Sequence, residues 1–205
     1  MTILWLRHGE TALNAARVVQ PADTPLSPRG LAQAAAAAAR IATLQPVALL
    51  SSDMPRALQT AQAVAAATGL PVRTDPLLQE RNFGALRGRA WSTLGFDPML
   101  LEDAPEGGES MAGFHARVAR AWARALAERQ AADGLLVVVS HGLLIHAALQ
   151  RHAHWPGGIM ALPPRLANTS VSEVAAEAPH AVLRVDCTAH LVDPEAIGAS
   201  DGAAA

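Results

Sequence analysis

The sequence predicts an α/β fold in which helices cover both faces of a mostly parallel sheet. Short apolar runs typical of buried strands alternate along the chain with longer segments whose apolar residues recur at helical spacing. With 205 residues, 51% of them apolar, the chain is long enough to bury one sizeable core. We expect residues 1–193 to form a single domain and the small, polar segment 194–205 to be a disordered tail.

The predicted strands and helices follow one another in a regular order. Strands are expected over residues 3–6, 47–50, 72–74, 135–139, 169–174 and 181–185. Helices are expected over residues 28–44, 54–68 and 111–132, and from just after Gly142 to about residue 152. The stretch 82–108 is rich in Gly, Pro and Trp and shows little periodicity, which is typical of a long functional loop.

Capping residues set the ends of the predicted helices. Ser27 is expected to cap the first helix, and Pro28 fits its first turn because that turn needs no proline N–H. Asp53 and Ser110 are expected to cap the next two helices. Gly69 is expected to end the second helix, since glycine adopts the left-handed conformation common at helix ends.

The composition argues against several classes of partner. A net charge of −2 and a pI near 6.4 leave no basic stripe for nucleic acid. No run of like charges predicts a membrane surface, no apolar stretch is long enough for a membrane helix, and residues 1–7 lack a signal-peptide pattern. Cys187 is the one cysteine, so no intrachain disulfide can form, and we expect a cytoplasmic protein.

Polar side chains follow three of the predicted strands at the point where each strand ends. Ligands of such sheets bind beyond the carboxyl ends of the strands, so these side chains are expected to meet at one edge. The three segments are Arg7-His8, Ser51-Ser52 and Ser140-His141.

Four residues near this edge suit chemistry on an anion. A neutral imidazole such as His8 is a good nucleophile near neutral pH, and Arg7 offers a planar fork of donors for phosphate oxygens. Arg56 lies near a helix start, where the helix dipole disfavours a cation, which indicates that it faces an anion. His141 is expected beside the unpaired N–H groups of a helix start, which also favour an anion.

The order of these segments resembles the histidine phosphatase superfamily, also called the phosphoglycerate mutase-like superfamily. Residues 6–11 are similar to its Arg-His-Gly-Glu-Thr signature, and residues 51–61 to its Ser-Ser-x-x-x-Arg-Ala-x-Gln-Thr-Ala segment. The resemblance covers most of the chain and implies a phosphoglycerate mutase-like fold, a three-layer α/β/α sandwich. Further similar segments are residues 23–27 with Gly30 and Gln33-Ala34, residues 79–84, residues 107–110 and residues 140–142.

The resemblance implies a role for each matching residue. His8 would be the nucleophile that becomes phosphorylated, and Glu80 would protonate the leaving oxygen and later deprotonate the attacking water. Arg7, Arg56 and His141 would also be catalytic, because they stabilise charge on the transferred group. No metal or other cofactor is implied. The residues implied to bind the substrate are Arg7, Asn14, Arg56, His141 and Gly142.

The sequence favours a metal-independent phosphomonoesterase acting on a small phosphorylated metabolite. A cofactor-dependent phosphoglycerate mutase is the first alternative. Such mutases have a longer insertion after the acid with basic residues, whereas residues 82–108 contain only Arg87 and Arg89 as cations. The second alternative is a non-catalytic domain that binds a phosphorylated ligand. Sugar phosphates, phosphoglycerates, nucleotide-pathway intermediates and cofactor precursors such as ribazole phosphate stay open as substrates, and a homodimer is left open.

Several other side chains have no assigned role. His152 and His154 are not predicted to bind a metal, because no cysteine or carboxylate cluster accompanies them. The resemblance departs at His146, where many relatives carry Arg. Three side chains stay open between a packing role and a place near the pocket: Glu10, Phe83 and Trp91.

Overall fold

A computed structural model describes residues 2–157 and 161–191, so the predicted tail 194–205 lies outside the described residues. The strands are β1 (Thr2–Arg7), β2 (Ala48–Ser51), β3 (Val72–Thr74), β4 (Leu136–Ser140), β5 (Val171–Ala175) and β6 (Val182–Cys187). The helices are α1 (Ala12–Ala15), α2 (Pro28–Thr43), α3 (Pro55–Thr68), α4 (Met111–Ala132) and α5 (Gly142–His152). Short 3-10 turns span Pro76–Leu78, Gly84–Leu86, Trp91–Thr93 and Pro98–Leu100.

The strands form one mostly parallel sheet, as predicted. Their order is β3-β2-β4-β1-β5-β6. The pairs β2–β3, β2–β4 and β1–β4 are parallel, whereas β5 pairs antiparallel with both β1 and β6. The parallel strands β1, β2 and β4 therefore end at the same edge, and the antiparallel β5–β6 hairpin closes the other side of the sheet.

Two apolar clusters, one on each face of the sheet, make the fold a three-layer sandwich. Side chains alternate along a strand, so Ile3 and Trp5 face one side and Leu4 and Leu6 the other. The first pair packs with α4 and α5, and Trp5 stacks on Trp122 with 5.7 Å between ring centroids. The second pair packs with α2 and α3. The predicted three-layer α/β/α architecture is confirmed.

Most of the predicted helix ends are confirmed by their hydrogen bonds. The hydroxyls of Ser27 and Ser110 accept bonds from the backbone N–H groups three residues later, at 3.0 and 3.1 Å. Gly69 ends α3 in the left-handed conformation with φ 76°.

The predicted cap at Asp53 is wrong. Met54 is the N-cap of α3 and makes no side-chain capping bond, because the helix begins one residue later than expected, at Pro55. The carboxylate of Asp53 accepts a hydrogen bond from the side-chain amide of Gln79 at 2.7 Å instead. Asp53 therefore ties the start of α3 to the segment that precedes Glu80.

Residues 82–108 form a long irregular excursion, as predicted, with short 3-10 turns and no longer element. The excursion is anchored to the segment after α1, where Val19 donates to the Arg89 carbonyl at 2.9 Å and accepts from Gly88 at 2.7 Å. Over the described ranges, none of the helices combines the length and the apolar character that a membrane crossing requires.

Candidate active site

The two histidines predicted for the site lie side by side at the carboxyl edge of the sheet. β1 and β4 are parallel neighbours with Arg7 opposite Ser140, so His8 and His141 each follow the strand end at equivalent positions. The His8 N–H donates to the Ser140 carbonyl at 3.0 Å, and the two imidazole rings meet edge to face with centroids 5.1 Å apart. Both side chains are buried.

The hydrogen bond of His8 fixes which ring nitrogen is free to react. Nδ1 lies 2.7 Å from the carbonyl oxygen of Gly9, which can only accept, so Nδ1 carries the proton. Nε2 then holds an unshared electron pair. Burial, followed by the positive charges of Arg56 and Arg7, lowers the pKa of His8 well below 6.5, although the Gly9 carbonyl opposes the shift. His8 is therefore neutral near pH 7 and suited to attack an electrophile.

Close backbone packing holds the loop that carries His8. The Gly9 N–H donates to the Thr60 hydroxyl at 3.1 Å, and that hydroxyl donates to the Arg56 carbonyl at 2.8 Å. A Cβ atom at Gly9 would lie 2.5 Å from the Gly30 carbonyl oxygen, and one at Gly30 would lie 2.0 Å from that of Glu10. Both positions require glycine for this reason, which explains why the motif segments contain it.

Arg56 brings a buried positive charge to the same edge. Its guanidinium donates to the Pro21 and Ala22 carbonyls at 3.3 and 3.5 Å, and its buried Nε has no hydrogen-bond partner in the described part of the chain. Burial lowers its pKa to about 10, the charge of Glu80 opposes that shift, and the charges of Arg87 and Arg7 add to it. A group with a pKa of about 10 is still a cation at pH 7, so Arg56 can bind an anion at this edge.

Arg7 and Gly142 are in direct contact. The Arg7 guanidinium donates to the Leu166 carbonyl. Gly142 is the first residue of α5, and a Cβ atom added to Gly142 would lie 3.2 Å from the Arg7 Nε. Gly142 thus lets the first turn of α5 approach the guanidinium, which places the backbone N–H groups of that turn beside a cation. Both features favour an anion.

His141 is held by a serine that the sequence analysis placed at the edge but did not assign to the site. Its Nε2 lies 2.8 Å from the Ser52 hydroxyl, and its buried Nδ1 has no hydrogen-bond partner among the residues described. Burial lowers the pKa of His141 well below 6.5, and the positive charge of Arg56 lowers it further. His141 is neutral at pH 7 and keeps one ring nitrogen for a ligand.

Glu80 reaches the same edge from the loop after the Pro76–Leu78 turn. One carboxylate oxygen accepts from the Leu143 N–H at 3.0 Å, and the other accepts from the Arg81 N–H at 2.9 Å. The Glu80 carboxylate therefore lies at the start of α5, on the N–H group two residues after His141. Its charge also reaches Arg56, whose pKa it raises. The structure thus brings Glu80 together with His8, Arg56 and His141.

An arginine that sequence reasoning missed clamps the backbone on which Glu80 stands. Arg117 of α4 donates to the carbonyls of Leu77, Gln79 and Glu80 at 3.0, 2.6 and 3.2 Å. It also forms a two-point ion pair with Glu109, at 3.0 and 2.8 Å. The sequence did contain a signal for this role. Arg117 directly precedes Val118, a residue of the apolar stripe of α4, and a cation so close to a buried face needs a partner there.

Arg81 does not pair with the Glu80 carboxylate through its side chain. It is 1% exposed and donates to the carbonyls of Leu101 and Glu109, at 2.6 and 3.1 Å. Arg81 therefore anchors the 82–108 excursion from beneath.

The two remaining polar residues of the first segment have mainly structural contacts. The Asn14 side-chain oxygen accepts from the Thr11 N–H at 3.3 Å as part of a capping box, so only its amide nitrogen is left for a ligand. Glu10 accepts from the Ser27 hydroxyl at 2.9 Å and lies 3.6 Å from Arg29, which ties the loop to the start of α2. In the described part of the chain, no group of three or more His, Cys, Asp or Glu side chains could hold a metal ion.

The phosphoglycerate mutase-like fold, with two histidines and two arginines grouped at its sheet edge, defines a histidine phosphatase-type protein. The chain belongs to the histidine phosphatase superfamily (branch 1), whose family model matches residues 3–186. The relatives bear names of both phosphatases and mutases.

Three known proteins illustrate the range of similarity. The probable phosphoglycerate mutase GpmB of Proteus mirabilis is 33% identical over 190 residues, which cover 85% of this chain and 84% of that protein. A mycobacterial glucosyl-3-phosphoglycerate phosphatase solved with VO3 is 30% identical, with a TM-score of 0.72 over 91% of this chain and 97% of that one. A phosphoglycerate mutase of Bacillus anthracis, 23% identical with a TM-score of 0.74 over 93% and 94% of the two chains, shares the fold.

Proposed function

We propose that the protein hydrolyses phosphate monoesters of small metabolites through a phosphohistidine at His8, without a metal ion. The observation that carries the proposal is the state of His8. Its Nδ1 proton is committed to the Gly9 carbonyl, and burial beside Arg56 and Arg7 keeps the ring neutral. A buried imidazole with a free Nε2 and two guanidiniums nearby suits attack on a phosphoryl group.

The first half-reaction transfers the phosphoryl group to the protein. The Nε2 electron pair of His8 forms a bond to phosphorus while the bond from phosphorus to the ester oxygen breaks. The negative charge of the bound ester keeps Glu80 protonated, and Glu80 gives that proton to the leaving oxygen, so that an alcohol leaves and Glu80 becomes a carboxylate. Charge develops on the equatorial phosphoryl oxygens, and the donors for these oxygens are Arg7, Arg56, His141 and the backbone N–H of Gly142.

The second half-reaction returns the protein to its starting state. The Glu80 carboxylate takes a proton from a water molecule, whose oxygen attacks phosphorus while the bond to His8 Nε2 breaks. Inorganic phosphate leaves, His8 recovers its electron pair and Glu80 is protonated again. The carboxylate position supports this cycle, because Glu80 is held at the start of α5 beside the imidazole pair.

Mutation of the nucleophile tests the proposal. His8→Ala should abolish phosphate release from a panel of phosphate esters assayed in EDTA. It should also lack the acid-labile phosphate that we expect on wild-type protein quenched during turnover. The matched control is His154→Ala, since His154 is exposed and follows the far end of α5, the helix whose start carries His141. Activity of His8→Ala near the wild-type rate, or a wild-type activity that needs added metal, would show the mechanism to be different.

The names of the relatives support a phosphoglycerate mutase as a second candidate, because GpmB is called a probable phosphoglycerate mutase. In that reaction the phosphohistidine gives its phosphoryl group back to a phosphoglycerate rather than to water. Phosphate release without any bisphosphoglycerate supports the hydrolase, whereas isomerisation that depends on bisphosphoglycerate supports the mutase. Tight phosphate or vanadate binding with neither reaction would indicate the non-catalytic ligand-binding domain.

A further inference from the structure

The peptide unit between His8 and Gly9 is held from both sides. Its N–H, which belongs to Gly9, donates to the Thr60 hydroxyl of α3 at 3.1 Å. Its carbonyl, which belongs to His8, accepts two hydrogen bonds from the turn before β5, from the Thr169 N–H at 3.3 Å and from the Asn168 side-chain amide at 3.1 Å. Two elements far apart in the chain therefore fix the plane of this peptide unit.

The plane of this peptide unit decides which nitrogen of the His8 ring carries the proton. The next carbonyl along the chain, that of Gly9, accepts from the His8 Nδ1 at 2.7 Å. A rotation of the peptide unit would carry the Gly9 backbone with it and move this acceptor away from the ring. The proton could then shift to Nε2, which would remove the electron pair that attacks phosphorus.

The same turn also holds Arg7, the residue before the nucleophile. The Ser170 carbonyl accepts from the Arg7 N–H at 3.1 Å, and the Leu166 carbonyl accepts from the Arg7 guanidinium. Both residues of the Arg7-His8 pair are thus bonded to residues 166–170, which we call the support turn. The support turn lies outside the segments that follow the parallel strands, so it approaches the nucleophile from a separate direction along the chain.

A strained residue lies within the support turn. Thr169 is fully buried and has a φ of 54°, in the left-handed region that β-branched residues rarely adopt. Its hydroxyl donates to the Asn168 carbonyl at 2.8 Å and lies 3.1 Å from the Nε2 of the buried His190. Because the hydroxyl proton is committed to a carbonyl, the His190 Nε2 is the donor of the second bond. Such strain persists only where the surroundings enforce it, and it is common at functional sites.

The bonds of the support turn lead from a buried, strained backbone to the carbonyl of the nucleophile. We propose that Asn168 is a positioning residue: its amide, together with the Thr169 N–H, holds the His8 carbonyl so that the His8 proton stays on Nδ1 and Nε2 stays available for attack. Asn168 acts through His8 and not through the phosphoryl group. The inference rests on the proposed phosphatase function of the His8 site.

Asn168→Leu tests the proposal, because leucine keeps the approximate size of the side chain and removes the amide. NMR of the His8 ring nitrogens, assigned by comparison with His8→Ala, should show a protonated Nδ1 and an unprotonated Nε2 in the wild-type protein. In Asn168→Leu the two nitrogen shifts should move toward each other, because both tautomers are then populated. kcat/KM, which covers the steps up to the phosphohistidine, should fall about tenfold, while the inhibition constant of inorganic phosphate stays within about twofold of wild type.

A second variant and a control separate positioning from loss of stability. Asn168→Asp keeps the shape of the side chain but, when ionised, offers only acceptors to the His8 carbonyl, so it should lower kcat/KM at least as far. The control is Val182→Ala, a cavity-forming change at a buried residue of β6. It should lower Tm, yet leave the His8 tautomer unchanged and kcat/KM within about twofold when the assay is run well below Tm.

Three results would refute the positioning role of Asn168. They are an unchanged His8 tautomer in both Asn168 variants, a fall in kcat/KM no larger than that of Val182→Ala at an equal distance below Tm, and a loss of phosphate affinity as large as the loss of kcat/KM. A wild-type protein that neither releases phosphate nor forms a phosphohistidine would instead refute the proposed function. The NMR comparison would still decide the role of Asn168 in that case, so the two failures are distinguishable.

Discussion

Replacing Arg117 with Met should uncouple the acid from the rest of the site. Arg117 donates to three backbone carbonyls of residues 77–80, the segment that carries Glu80, and its ion pair with Glu109 keeps the guanidinium in place. Methionine keeps the apolar stem of the side chain but none of these bonds. The loop would then be free to shift, while His8 and Arg56, which stand on other elements, would stay in place.

The structure sets the size of the expected loss of stability. The Arg117 and Glu109 side chains are 13% and 19% exposed, so the pair is mostly buried. Removing one partner of a buried pair typically costs about 3–5 kcal/mol, because the other partner is left without compensation. Since both side chains keep some contact with water, we expect about 3 kcal/mol, which lowers Tm by about 6–12 °C in a chain of this size. Arg120→Met, an exposed change on the same helix, should leave Tm nearly unchanged.

Two esters with different leaving groups can show whether Arg117 acts by positioning Glu80 or only by stabilising the fold. An alkyl ester such as glycerol 3-phosphate needs a proton on its leaving oxygen, whereas p-nitrophenyl phosphate has a leaving group that needs none. Well below its Tm, Arg117→Met should lower kcat for the alkyl ester by about 10²-fold and kcat for the aryl ester by only a few-fold. Glu80→Gln should give the same pattern. An equal fall for both esters, or a Tm within error of wild type, would refute the role assigned to Arg117.

Two further predictions concern the imidazoles and the start of α5. Because the pKa values of His8 and His141 lie below 6.5 in the folded state, the unfolded chain binds more protons below that pH, and stability is lost as the pH falls. The free energy of unfolding from urea titrations should decrease by about 1.4 kcal/mol per pH unit for each histidine below pH 6.5, and a pH-independent value would contradict the buried neutral state. Gly142→Ala should keep or raise Tm, because alanine favours a helix. The same change should lower kcat/KM about tenfold, because the added methyl group would push the Arg7 guanidinium from its position. Unchanged kinetics would show that the contact between Gly142 and Arg7 is unimportant.

The fold was predictable because its signals are local. The buried strands are short apolar runs, and Ser27, Gly69 and Ser110 mark helix ends through bonds to residues within a few positions. The prediction at Asp53 is wrong for the opposite reason. Whether a carboxylate caps its own helix or bonds a distant amide depends on what the fold brings close, and here Gln79 lies 26 positions along the chain.

The parts of the site that could be predicted are the side chains that directly follow the end of a strand. His8 and His141 follow adjacent parallel strands, so the edge rule is enough to place them together. Arg117 was missed because its partners are backbone carbonyls about 40 positions away, which no motif displays. Asn14 shows the converse, because the resemblance implies ligand binding while its oxygen is used in a local cap.

The charges around His8 serve the proposed reaction at two stages. A protonated imidazole cannot attack phosphorus, and burial alone would leave His8 exposed to protonation whenever a negative charge entered the site. Arg56 and Arg7 oppose that protonation before the ester binds, since both lower the pKa of His8. Once the phosphoryl group has arrived, the same guanidiniums lie beside the oxygens on which charge develops. Replacing either arginine with a neutral residue would therefore let His8 take up a proton more readily once the ester is bound, and it would remove a donor for the developing charge. Such a variant should lose kcat as well as phosphate affinity, whereas a residue that only binds phosphate would change KM alone.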